Sequence, residues 1–473
     1  MKNTIKIGLV ALASMSLCSC ADWFDVNPKT DLKAEEFYKT PEGFESALAG
    51  NYTLLTRSQS YGGSWTFHTM EYLVGSYDRL PDGAGRASDV YIYDRYSKGF
   101  NTKGQLEEMW LSSYETIANA NNLLRWLDLR GEAVVAEENT RKYLRGEALA
   151  LRAFLHFDLL RAWGPIYRDA PETLSIPYRK VADQQRLPLL PARTVVENVL
   201  ADLTEAKQLL SYQKTQPVGV YDNFRFTYHA VNALLARVYC YAGDAEKAIA
   251  CAKEVIAESG RSLQVSNNGD PALYQEVLVG LYKDKMQTDY SQIFSEGPQF
   301  VNHLYCELKT MNEFYGIAGS ETEDIRAKST AFARYNDQNK AITLKYVRNP
   351  NMVIPLIRLP EMYYILCEMS PLEEAAAHLN KVRNRRGYSS FSNVTFRTEE
   401  DRIRELDKEY RKEFYAEGQY FYFVKRHKLS TFTHCPVGEM TEKQYVFPLT
   451  DREKEYGWHE PEAGESTSEN KNA

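Results

Sequence analysis

The sequence predicts a mainly helical protein, a scaffold of helical hairpins interrupted by long irregular aromatic-rich loops, with only minor β-structure. Apolar residues recur at helical spacing in paired segments whose ends carry caps and stops. Two stretches, 56–105 and 261–350, break that period with Gly, Pro and Asn and hold many aromatics. The chain has 33 tyrosines, 20 phenylalanines and six tryptophans, of which only a minority fall at helix-core spacing. The remainder belong in loops or at the surface, where Tyr and Trp offer a flat apolar face with a polar tip.

The first helix opens at Thr40-Pro41, a capping residue followed by proline at the first helical position, with Phe44, Ala47, Leu48, Tyr52 and Leu55 on one face. A second runs from about Leu106 to Leu127 with Trp110, Tyr114, Ile117, Asn121 and Leu124 in register. The single Asn on that stripe predicts an interhelical hydrogen bond. Residues Lys142 to Trp163 are apolar nearly all round, as in a helix enclosed by others, and Gly164-Pro165 stops them. Thr194 with Glu197 reads as a capping box opening a helix through Val196, Val199, Leu200, Leu203, Ala206 and Leu210.

Between Tyr228 and Glu258 lies a hairpin, with Val231, Leu234, Leu235 and Val238 before Ala242-Gly243-Asp244 and Ala248, Ile249, Ala252, Val255 and Ile256 after it. Small and large apolar positions around so short a turn resemble a tetratricopeptide unit, without its full 34-residue consensus. Ser370-Pro371-Leu372-Glu373 reads as a second capping box, and its helix ends in Arg383, Arg385, Arg386 and Gly387, cations and a glycine suited to a helix C-terminus. Leu356 to Glu368 is its expected partner. A last helix is expected from Arg402 to about Lys425, carrying Ile403, Leu406, Tyr410 and Phe414.

Lys2 and Lys6 precede an apolar run from Ile7 to Leu17, too short for a membrane span and followed by acidic Asp22 and Asp25. It reads as a secretory signal. Leu17-Cys18-Ser19-Cys20 resembles the lipobox of bacterial lipoproteins, which implies cleavage before Cys20 and acylation of that residue. Ordinary cleavage releasing a soluble periplasmic protein is the alternative. The expected organisation is a signal over 1–19, a lipidated tether over 20–33, an N-terminal helical region over 34–260 with a binding loop at 56–105, a C-terminal region over 261–459, and a polar tail over 460–473. Removing the signal takes the formal charge from −7 to −9, which argues against a nucleic-acid partner. Cys240, Cys251, Cys306, Cys367 and Cys435 are scattered without metal or disulfide spacing and read as buried thiols.

In order along the chain, these segments resemble the SusD/RagB family of nutrient-uptake lipoproteins from Bacteroidetes-type bacteria. Trp23 to Pro28 resembles the family's N-terminal arm, Phe37 to Pro41 its first helix, and Ala120-Asn121 with Leu123-Leu124 its second. Gly146-Glu147-Ala148 through Leu151-Arg152-Ala153-Phe154 to Gly164-Pro165 is the closest match, followed by Ala233 to Tyr239. Ile357-Arg358-Leu359 with Glu361-Met362, Leu379 to Arg383 with Arg386-Gly387, and Glu413-Phe414 with Glu417-Gly418 complete the series. Tyr410, Tyr420 and Phe423 stand where the family commonly has Arg, Arg and Asp, which puts one internal ion-pair network in doubt. The resemblance implies a non-catalytic, lipid-anchored protein of the outer membrane that captures a nutrient for a SusC-like TonB-dependent transporter. The nutrient so implied is an oligosaccharide, or alternatively a peptide or other nutrient.

Arg152, Glu147, Arg237 and Arg383, on otherwise apolar faces, read as charges paired within the core. No metalloprotease, nucleophile-elbow or phosphate-loop motif occurs, the eight histidines show no metal spacing, and no cofactor is expected. A hydrolase would need a paired-carboxylate or metal site, and a periplasmic repeat scaffold would need fewer aromatic loops. A sugar presents an apolar C–H face and hydroxyls, so the expected ligand groups are Tyr61, Trp65, Tyr77, Asp78, Arg79, Tyr91, Tyr93 and Tyr96 early in the chain, then Tyr290 and Tyr315. Asp89, Asp94, Tyr282 and Tyr305 share these settings. Trp65, in Gly62-Gly63-Ser64-Trp65, is the preferred stacking platform.

Overall fold

A computed structural model describes residues 34–78, 96–97, 100–216, 219, 222–294, 304–318 and 322–457. The proposed signal, Cys20, the tether and the tail lie outside them. The main helices are α1 (Pro41–Leu55), α2 (Thr102–Trp126), α3 (Glu138–Trp163), α4 (Ala192–Leu209), α5 (Tyr228–Ala242), α6 (Ala245–Glu258), α7 (Leu308–Tyr315), α8 (Leu359–Met369), α9 (Leu372–Arg385), α10 (Glu399–Glu413) and α11 (Tyr420–Arg426). Helix α2 packs on α3, α3 on α4, α4 on α5, α5 on α6, α6 on α8 and α8 on α9, so the scaffold is an array of neighbouring helices. The strands are short: β1 (Tyr96–Ser97), β2 (Phe100–Asn101), β3 (Leu174–Ile176), β4 (Leu190–Pro191), β5 (Val277–Tyr282), β6 (Cys306–Glu307), β7 (Phe332–Tyr335), β8 (Lys340–Thr343) and β9 (Val353–Arg358). They pair antiparallel as β1-β2, β3-β4, β5-β9 and β6-β8-β7.

Helix starts follow the expected chemistry at three places. Thr40 accepts from Gly43 N, Thr227 from Ala230 N and Asp244 from Lys247 N. Gly243 has φ +81°, the left-handed conformation the α5–α6 turn requires. Asn121 bonds between helices, its Oδ1 accepting from Arg152 Nη1 at 2.9 Å. Arg152 also holds Asp202 through two bonds of 2.7 Å, Arg237 holds Glu361 through two of 2.6 Å, and Glu147 pairs with Arg225. The Arg152 and Arg237 pairs lie in the core, as expected, whereas buried Glu147 meets a partly exposed Arg225.

Four boundaries differ. Helix α4 begins at Ala192, straight out of β4, so Thr194 lies inside it and caps nothing. Pro371, with no side-chain cap, precedes α9, so Ser370 forms no capping box. The segment expected as a helix from Leu356 begins as the end of β9, and α8 follows from Leu359 with Pro360 in its first turn. The single helix expected over 402–425 is two, α10 and α11, because Ala416 (φ +63°) and Gly418 (φ +71°) leave the helical region. A Cβ on Gly418 would sit 2.2 Å from the Trp65 carbonyl oxygen, so the break is also a close contact between distant segments.

The chain's far end closes its beginning. Lys425 Nζ donates to the carbonyls of Arg161 and Gly164 at 2.7 Å each, and of Ala162 at 3.3 Å, terminating α3. Burial, with Arg161 beside it, pushes this ammonium down to about 7. Trp163 Nε1 donates to Pro448 O at 3.0 Å, and Phe447 N to Ala162 O at 3.1 Å.

A buried ion-pair network fills the space between α9, α10 and the strands. Glu413 accepts from Arg326 (2.9 Å), Arg358 (2.7 Å) and Arg386 (2.8 Å). Arg386 also meets Glu276 at 2.7 Å, Glu409 meets Arg326 and Arg383, and Glu417 meets Lys345 and Arg358. Arg383 and Arg386, read from sequence as helix-end cations, are members of it. At the three departures from the family pattern, aromatic contacts take the place of charge. Tyr410 stacks on Phe423 with centroids 4.4 Å apart, and the Arg411 guanidinium lies 4.2 Å from the Tyr420 ring centroid.

Candidate functional site

The two irregular regions meet, and their meeting is mostly core. Residues 60–77 are buried apart from His68, as a turn-rich plug rather than a displayed loop. Gly62 and Gly63 make the plug possible: a Cβ would lie 2.0 Å from Thr56 O at the first and 2.4 Å from Ser58 O at the second. The glycines flanking the expected platform instead permit close packing.

Five expected platforms are therefore interior, which corrects their expected exposure. Trp65 is 1% exposed, Tyr61 1%, Tyr77 2%, Tyr290 5% and Tyr315 4%. Trp65 lies between Tyr61 and Trp163, each 5.9 Å away. Tyr61 Oη donates to Asp158 at 2.7 Å, Tyr77 Oη to Phe67 O at 2.9 Å, Tyr290 Oη to Gly62 O at 2.7 Å and Tyr315 Oη to Lys412 O at 3.2 Å. Burial raises all of these phenols well above their ordinary range. Trp65→Ala should destabilise the protein by about 3–5 kcal/mol, the cost of emptying a large aromatic site, as read by urea unfolding.

Asp78 joins the two regions. Its N donates to Tyr305 O at 3.3 Å, and its carboxylate accepts from Glu307 N at 2.5 Å and Thr310 Oγ1 at 3.1 Å. Asp78 is thus a strap at the start of α7, with both carboxylate oxygens occupied. The chain enters residues 79–95 directly after it, so Arg79, Tyr91 and Tyr93, with Asp89 and Asp94, lie outside the described residues. Tyr96 is placed in β1.

On the outer side of this strap Tyr305 is half-buried. The Lys340 ammonium stands 4.6 Å from its ring centroid, and Lys340 and Glu307 are cross-strand partners of β8 and β6. Asn339 Nδ2 donates to Glu307 Oε2 at 3.2 Å. A partly open ring beside a cation, a carboxylate and an amide is suited to a polyhydroxylated ligand. Lys340, Glu307 and Asn339 carry no sequence motif and are brought to Tyr305 only by the strand register. Among the described residues no group of three or more His, Cys, Asp or Glu is placed to hold a metal ion. The five cysteines among the described residues are free, and all but Cys435 are buried.

A family model described as "Starch-binding associating with outer membrane" matches residues 22–240, and the SusD family model matches residues 236–473. The chain belongs to the SusD family. A SusD-like protein P2 of Formosa agariphila is 24% identical over 94% of this chain and 96% of its own length. A SusD-like protein of Bacteroides ovatus is 26% identical over 55% of this chain, an alignment spanning only 46% of that protein. A SusD-like carbohydrate binding protein from Bacteroides vulgatus superposes with a TM-score of 0.68, at 18% identity, over 88% of this chain and 96% of that one. A second SusD superfamily protein from the same organism gives 0.69 at 19% identity, over 88% and 97%. The SusD fold and the mainly helical class are thereby shown, and SusD family membership makes this a binding protein rather than an enzyme.

Proposed function

We propose that the protein captures an oligosaccharide at the rim around Tyr305 and hands it to a SusC-like TonB-dependent outer-membrane transporter, while a lipid on Cys20 holds it at the cell surface. Membership of a family described as starch-binding and outer-membrane-associated carries this reading. The rim supports it chemically: a sugar's C–H face can lie on Tyr305 while Lys340, Glu307 and Asn339 bond its hydroxyls. Residues 79–95 and 295–303 adjoin this rim in sequence, so Arg79, Tyr91, Tyr93 and Tyr96 remain proposed ligand groups. Solvent-facing stacking of this kind gives modest affinity, about 10 µM to 1 mM, or roughly −4 to −7 kcal/mol. Weak capture allows release to a transporter.

A glycan array on the lipid-free protein identifies the ligand, and calorimetry on Tyr305→Ala then tests the site. Binding should weaken at least several-fold with little change in melting temperature, since the ring is only half-buried. Unchanged affinity would remove Tyr305 from the site, and an array silent for glycans but positive for peptides would replace the ligand class.

A further inference from the structure

A cleft of about 590 Å³, lined by none of the rim residues, opens between the Tyr167–Pro171 segment, the start of α4, the α5–α6 turn and the facing ends of α8 and α10. That size lies within the range of small-molecule pockets, about 300–1,000 Å³. Its floor is aromatic. Tyr241 is buried and the half-buried Tyr167 lies against it, centroids 5.2 Å apart at 39°. Its walls carry arginines that each stand beside a carboxylate. Arg193 Nε reaches Glu172 at 2.5 Å, and Arg168 stands 3.3 Å from Asp169, which Lys428 holds more closely at 2.7 Å. At the back, Arg426 closes on Glu368 through two bonds of 2.9 and 2.6 Å.

The alternation of sign selects among ligands. A free anion would meet Glu368 and Glu399 and find each lining arginine already paired, Arg402 with Glu399 among them, and a cation would meet Arg168 and Arg193, so neither is favoured. A neutral sugar hydroxyl both donates and accepts, so neighbouring hydroxyls can use a guanidinium and the carboxylate next to it. We propose that this cleft is a second saccharide subsite, taking one or two neutral pyranose residues with a C–H face on Tyr167 and hydroxyls on Arg168, Arg193, Arg402 and Glu399. It rests on the sugar-binding reading of the protein but not on the Tyr305 rim.

Saturation-transfer NMR with methyl α-glucopyranoside, methyl α-galactopyranoside and methyl α-mannopyranoside, alongside glucuronate and galacturonate, tests it. At least one neutral pyranoside should give transfer that survives Tyr305→Ala and weakens about fivefold or more in Tyr167→Ala and Arg168→Ala, the loss of one ring face or one charged hydrogen bond. Arg168 is exposed, so its variant keeps the test valid should Tyr167→Ala unfold. The proposal is overturned if no neutral pyranoside gives transfer in Tyr305→Ala, if Arg168→Ala leaves transfer unchanged, or if the uronates bind better. Oligosaccharide affinity untouched by Tyr305→Ala would overturn the rim instead, and pyranoside transfer still lost in Arg168→Ala would uphold this cleft.

Discussion

Glu413→Gln should lower the unfolding free energy by about 5 kcal/mol or more, a large share of a typical domain's whole stability. Glu413 is completely buried and faces three arginines, so its loss strands several charges that took their compensation from one carboxylate. Breaking one buried pair costs about 3–5 kcal/mol, whereas an exposed pair such as Arg404 with Asp401 is screened by solvent and contributes little. Urea unfolding of Glu413→Gln against Asp401→Asn gives the contrast directly. Equal, small effects would show that water reaches the network and screens it.

The same network sets an acid limit. Burial works to raise the Glu413 and Glu409 carboxyls, but the surrounding cations outweigh it, holding Glu413 well below the usual range and Glu409 at about 2. Groups whose folded pKa is depressed stabilise the fold above their ordinary value, about 4.3 for Glu, and lose that contribution as pH falls through the folded value. Stability should therefore decline from about pH 5 towards pH 2, and the decline should be shallower in Glu413→Gln.

Cys20→Ala should move essentially all of the protein out of the membrane fraction. No helix among the described residues is long and apolar enough to cross a membrane, so in this proposal the lipid is the attachment. Buried acyl chain is worth about 0.8 kcal/mol per CH2, and two or three chains hold durably where one holds marginally. Fractionation, with mass spectrometry of the N-terminal peptide, checks this. Absence of lipid mass on wild-type protein would end the lipoprotein reading, and retention of the variant in the membrane would require another anchor.

The helices were legible where a local signal sufficed. Thr40-Pro41 and Gly243-Asp244 each satisfy backbone groups within a few residues of themselves, so sequence alone locates α1 and the α5–α6 turn. Thr194 and Ser370 misled because a strand or proline entry can start a helix without their hydroxyls. Trp65 misled for a different reason: glycines serve both display and close approach, and only Thr56, Ser58 and Gly418, brought up by the fold, decide which. Arg386 could be seen as a charge, but Glu276 lies 110 residues away in an irregular stretch that no periodicity organises. At the rim, Tyr305 could be singled out by type, whereas Lys340 and Glu307 become neighbours only through β8 and β6.

The closure of α3 by Lys425 bears on when the protein can fold. The two family matches overlap at residues 236–240, inside α5, which suggests a seam that the contacts do not respect. The carbonyl at Gly164 awaits an ammonium 261 residues downstream, and the Trp163 indole awaits Pro448, 285 residues downstream. A chain made or exported from its N-terminus thus exposes a finished-looking helical half whose last turn has no partner. Contacts of such sequence separation make folding slow. For a chain threaded unfolded through a secretion channel that delay is an advantage, because the native state becomes reachable only once nearly the whole polypeptide has crossed.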